Sequence, residues 1–122
     1  MSVTVTERPH TTEYLADARP FNTDAFVVSR AGNVHIVVNS VWQDSAGQRH
    51  AQAPGNERRG FHLQLFSSIS GQGSANRHLQ IGQAHTYHLQ LPANGIFHFS
   101  INGGRNWPDG DIVVRITCNV RA

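Results

Sequence analysis

The chain of 122 residues is about one domain long, enough to bury a core without a metal or disulfide scaffold. Charged residues make up 15%, below the roughly 25% usual for soluble domains, and its single cysteine, Cys118, excludes an internal disulfide and a four-cysteine zinc site. All ten basic residues are arginine; without lysine, Schiff-base chemistry and a Walker-type phosphate lysine are both impossible.

The charge is uneven. Residues 1–24 carry two Arg and four acids, net −2, whereas residues 25–122 carry eight Arg and four acids, net +4. Only Arg58 and Arg59 adjoin, so there is no basic stripe and no nucleic-acid partner is expected. No apolar run approaches the roughly 18 residues of a membrane span. The opening MSVTVTERPH lacks the layout of a secretory signal, so the expected compartment is the cytoplasm, which also suits one unpaired cysteine.

In chain order, the first 24 residues read as an N-terminal strand or arm, with a short candidate strand at Val3–Val5, and residues 25–122 as the main domain. From there the periodicity is two nearly throughout, the mark of half-buried strands. A short candidate at Ala25–Ser29 is followed by Val34, Ile36 and Val38 alternating with His35, Val37 and Asn39. Phe61, Leu63 and Leu65 alternate with His62, Gln64 and Phe66; Leu79 and Ile81 follow; then Tyr87, Leu89 and Leu91 alternate with His88 and Gln90. Phe97, Phe99 and Ile101 oppose His98 and Ser100, and the last run sets Ile112, Val114, Ile116, Cys118 and Val120 on one side. The Asn94-Gly95 pair, suited to positive φ, predicts a hairpin between residues 91 and 96. These runs predict an all-β chain, an antiparallel β-sandwich of about seven to eight strands, jelly-roll-like in type.

Two connections are richer than plain turns. Residues 43–60 form a polar stretch longer than the roughly 12–15 at which structureless loops become uncommon. Residues 102–111 mix Gly, carboxylates, Arg105 and Trp107. An aromatic ring beside amide, carboxylate and guanidinium groups is the chemistry that a carbohydrate site needs. The candidate ligand-binding residues are Trp42, Asp44, Arg58, Asn102, Arg105, Asn106, Trp107 and Asp109. Arg58, Arg105 and Asn106 would donate hydrogen bonds, Asp44 and Asp109 would accept them, and Trp107 would stack. Asp109-Gly110-Asp111 offers hard oxygens of the kind calcium takes, but Pro-Asp-Gly is also an ordinary turn before a strand.

Three triplets, His62-Leu63-Gln64, His78-Leu79-Gln80 and His88-Leu89-Gln90, repeat one pattern: Leu to the core, His and Gln to the other side. His35 and His98 share that outward parity. One reading is an imidazole-lined face holding a metal, as in a small His-dependent metalloenzyme using His35, His62, His88 or His98. The other is an uncharged polar face suited to burial against a second copy, which makes a homo-oligomer expected. Cys118 lies on core parity, no Gly-x-Ser-x-Gly elbow is present, and no catalytic residue is assigned; the chain reads as a non-enzyme.

Several segments resemble the PA-IL-like bacterial galactophilic lectins, calcium-dependent β-sandwich proteins. The likeness runs over about residues 25–120: Ala25–Ile36 is similar to that family's strand–turn–strand opening, Val41-Trp42 to its Gly-Trp, Pro54–Arg59 to its long loop, Leu79–Gly82 and Leu91–Gly95 to its hairpin approach, Phe97–Asn102 to the strand entering its Asn-Asp, and Asp109–Val114 to its final strand. The resemblance implies a carbohydrate ligand and a calcium site. It departs where the family's calcium- and sugar-binding Asp is replaced by Gly103, where Trp107-Pro108 replaces the Asn pair, and where the expected Tyr and His-Pro are missing. A sugar site with a degenerate calcium centre is the leading expectation, and a structural subunit that self-associates through its His/Gln face is the alternative.

Overall fold

A computed structural model describes residues 8–55 and 58–122, so the candidate strand at Val3–Val5 lies outside the described residues. The chain is an all-β sandwich of two antiparallel sheets. Its strands are β1 (His10–Leu15), β2 (Phe21–Asn22), β3 (Phe26–Val27), β4 (Gly32–Asp44), β5 (Arg49–His50), β6 (Gly60–Ser67), β7 (Arg77–Gln80), β8 (His85–Leu91), β9 (Ile96–Asn102) and β10 (Gly110–Cys118). The first sheet runs β1-β10-β4, with β8 and then β5 sharing the far edge of β4; the second runs β2-β9-β6-β7, with β3 beside β2 on the edge of β9.

The core follows from the alternation. Val34, Ile36 and Val38 of β4 face Phe61, Leu63 and Leu65 of β6 and Phe97, Phe99 and Ile101 of β9, all nearly or fully buried. Phe26 and Phe97, register partners, stack with ring centroids 4.8 Å apart, and Phe97 meets Phe99 edge-on. Burying such aromatic rings removes 150–250 Å² each from water, the dominant favourable contribution in a small sandwich. Cys118 lies in this core with its thiol donating to the Val120 carbonyl, and burial pushes its pKa up, so it stays a neutral thiol.

Several local expectations are corrected. Residues 91–96 are not a hairpin: β8 pairs with β4 in one sheet and β9 with β6 in the other. Asn94, at φ 66°, instead turns the chain from sheet to sheet, held by its N–H donating to the Val28 carbonyl. The residues 43–60 are not one loop either. Gln43 and Asp44 continue β4, and a turn at Gly47 (φ 86°) folds β5 back onto Trp42 and Gln43. Asp44 closes that turn, its Oδ1 accepting from the N–H groups of Ala46 and Gln48. Within the expected N-terminal strand or arm, β1 is the segment that pairs: residues 10–15 form the edge beside β10, and Tyr14, Ala16 and Phe21 pack on the core.

This first segment also explains Gly103. A Cβ there would stand 2.7 Å from the Asp17 carbonyl and 3.1 Å from that of Ala16, because Gly103 N–H donates to Asp17 at 2.7 Å. Gly103→Ala is expected to destabilise the chain by about 1–3 kcal/mol through that backbone overlap, read from the urea unfolding midpoint, whereas Gly104→Ala meets no neighbour and pays only for its positive φ.

Candidate functional site

The two segments singled out for binding do meet. Register pairing of Gly110 with Asp44 brings the start of β10 beside the end of β4, and Trp107 bridges back to Gly110. Between them lies a groove of about 350 Å³ lined by Trp42, Asp44, His50, Gln52, Pro54 and Asp109. Three of the eight candidate residues, Trp42, Asp44 and Asp109, line it.

Behind its wall, against Trp42 and Asp109, sits a residue outside the eight candidates, Arg59, which itself lines a neighbouring groove. Carrying the parity of Phe61, Leu63 and Leu65 back by one step puts Arg59 on the core side and Arg58 outside; Arg59 is 9% exposed. Its guanidinium carbon lies 4.5 Å from the Trp42 ring centroid and 4.1 Å from that of Trp107, and its Nη1 donates to Asp109 Oδ1 at 2.8 Å. The two indoles meet edge-on, with centroids 6.5 Å apart and planes at 84°. A planar guanidinium suits this notch because it stacks on aromatic faces while donating in its own plane.

The stack continues outward. Arg105 lies 4.0 Å from the Trp107 centroid, so guanidinium groups pack on the ring that was expected to stack on a sugar. Trp42 is 1% exposed, a core residue pressed against Gly110, where a Cβ would come within 2.6 Å of its ring. Both tryptophans therefore serve the protein's own packing in this structure. The remaining candidates disperse. Arg58 is exposed and lines a separate groove of about 430 Å³ with Gln80 and Gln83; Asn102 Oδ1 accepts from the Gly104 N–H within its own turn; Asn106 is exposed on the loop.

The groove's charges are already matched. The His50 imidazole lies 2.8 Å from Asp44 Oδ2, and this hydrogen bond, followed by that from the Gln48 N–H, holds the Asp44 carboxyl below the usual range. Asp109 is held low chiefly by its hydrogen bond from Arg59.

The donor set does not fit calcium. That ion takes six to eight oxygens, yet Asp109 is committed to Arg59, Asp44 to a turn and His50, and backbone fills the space beside Gly103. Among the described residues no three His, Cys, Asp or Glu side chains are grouped to hold any ion. The outward histidines also fail to form one face: His35 and His88 lie on the first sheet, His62, His78 and His98 on the second.

No family model matches the chain, and no curated protein matches it. Among solved structures it is similar to a chain of the Bacillus endospore appendages, described as "a novel family of disulfide-linked pili", at 8% identity and a TM-score of 0.45, covering 100% of this chain and 97% of that one. A likeness of that size bears on neither family nor function.

Arg59→Met keeps the stem but removes the planar cation between the indoles; it is expected to cost about 2 kcal/mol, roughly 1 per cation–π contact, in urea unfolding followed by tryptophan fluorescence. Arg105→Ala, at the exposed end of the stack, should cost under about 0.5 kcal/mol. Because the folded-state pKa values of Asp44 and Asp109 are depressed, the stability they contribute is complete above the ordinary carboxylate value of about 3.9 and is lost as pH falls through the folded value. The unfolding midpoint should drop with pH below about 4, and less steeply in Asp109→Asn.

Proposed function

We propose that this protein is a non-enzymatic structural subunit that associates with copies of itself through the outer face of the second sheet. One observation carries the reading: among the described residues, every side chain projecting outward from β2, β3, β6, β7 and β9 is uncharged. The single charged residue of these strands, Arg77, is exposed at the start of β7 but shares the parity of Leu79, opposite Leu63, and is near enough to His85 to act on it electrostatically.

One end of this face is apolar. Val27 and Ile96 are register partners, 52% and 38% exposed, and Phe66, 39% exposed, stacks on His98 with centroids 5.1 Å apart. The other end carries His62, His78, Gln64 and Ser100. An ordinary exposed sheet carries charges that keep edges and faces apart from other chains. A face with hydrogen-bonding but uncharged groups around an aromatic and aliphatic patch matches the composition of interface cores, where desolvating an ion would oppose association.

A second reading is carried by the groove between the 43–60 and 102–111 segments. Its carboxylates, imidazole and amide offer the mixed acceptors and donors that a polyhydroxylated ligand matches, which keeps carbohydrate binding as the alternative, without calcium.

Light-scattering mass in the presence of a chelator tests the first reading. The chain should exceed the 13.5 kDa of a monomer in a concentration-dependent way, and Phe66→Glu should return it to monomer with its strand signature intact. A monomer at every concentration in chelator overturns metal-free association through this face. A glycan array in calcium and again in chelator tests the second; equal binding in both, lost in Asp44→Asn, supports the groove, and no binding removes it.

A further inference from the structure

Two pairs of histidines are opposed across neighbouring strands. His35 of β4 and His88 of β8 are register partners on the outer face of the first sheet, with ring centroids 4.7 Å apart. His62 of β6 and His78 of β7 are register partners on the outer face of the second, 4.8 Å apart. The two pairs thus stand on opposite sides of one sandwich.

Opposed residues on one sheet face have Cβ atoms about 4.5–5.5 Å apart, a spacing from which two imidazoles can converge on a metal ion at about 2.0–2.1 Å by side-chain rotation alone. The His78 ring lies over Gly60, its Cε1 2.8 Å from where a Cβ would stand, so the absence of a side chain at 60 is what lets the ring lie there beside His62. Among the described residues neither pair has a carboxylate as a register neighbour: Asn33, Gln90 and Thr86 flank the first and Gln64, Gln80 and Asn102 the second. All-imidazole ligation selects zinc, copper or nickel over calcium and magnesium.

Two ligands leave a four-coordinate ion half satisfied, and among the described residues no third His, Cys, Asp or Glu joins either pair. We propose that each pair is half of a zinc-type site, and that one ion held by His62 and His78 of one copy and by His35 and His88 of the next links copies head to tail. Because the halves face opposite ways, each copy has one link above and one below, a heterologous contact that repeats from copy to copy. The inference rests on the reading of the chain as a self-associating subunit and names the partner surface and the ion.

The test is a zinc titration of the chelator-stripped chain followed by light-scattering mass. The mass should grow past dimer as roughly one ion per chain is taken up and should fall again with chelator. His62→Asn/His78→Asn and His35→Asn/His88→Asn, all exposed or nearly so, should each remain at the starting mass in zinc. An equimolar mixture of the two should gain mass only to one pairwise link, since each supplies the half that the other lacks. Zinc uptake without a change in mass, or either variant assembling alone, overturns the head-to-tail link. Association in chelator that zinc leaves unchanged overturns the link but not the subunit reading. A chain monomeric in chelator that assembles in zinc supports the link and removes the metal-free contact.

Discussion

Side chains on a strand alternate between two surroundings, and in this sandwich that alternation decides almost everything that follows. In β4 it sends Val34, Ile36 and Val38 to the core and His35 to the surface; in β6 it sends Phe61, Leu63 and Leu65 inward and His62, Gln64 and Phe66 outward. Slipping either strand by one residue would bury imidazoles and expose phenylalanine, so the register is held by the whole core. The uncharged outer face and the opposed histidine pairs are the other side of the same constraint.

At one end of the sandwich the alternation delivers a cation instead of an apolar side chain. Arg59 continues the inward parity of β6 one step before the strand begins, and there Trp42, Trp107 and Asp109 receive it. A side chain with an apolar stem and a planar, charged head can pack on both indoles and still donate to a carboxylate, which an aliphatic residue cannot do. It ties the start of β6 to the 102–111 segment, and by doing so gives the groove beside Asp44 a fixed wall.

How far the sequence revealed this depends on whether the signal was local. The strands around Val34–Val38, Phe61–Leu65, Phe97–Ile101 and Ile112–Val120 are legible because period-two alternation is a property of neighbouring residues. The strand β1 is legible only as part of an N-terminal strand or arm, since at the sheet edge His10, Thr12 and Tyr14 are half buried, Thr11, Glu13 and Leu15 are exposed, and that alternation is weak in hydropathy. The Asn94-Gly95 turn is recognisable as a turn, but whether it joins partners in one sheet or crosses between two depends on strands far away. Trp107 in a Gly-rich loop is equally readable as a stacking platform or as packing; Arg59 and Arg105 decide it, and their approach is tertiary. Arg59 itself was within reach, one parity step upstream of Phe61.

The pairing of β1 with β10 joins residues 10–15 to residues 113–118, almost the two extremes of the described chain. Leaving aside the β4–β5 and β6–β7 hairpins, the sheets are built from strands distant in sequence. Loop closure must precede most of these contacts, which places the chain among the slow folders and delays the reward until late. During synthesis, the first strand therefore has no partner until the last strand leaves the ribosome. Until then β1, with Leu15 on its surface, is an open edge, and a nascent chain stalled before residue 113 would carry it unpaired into a crowded solution.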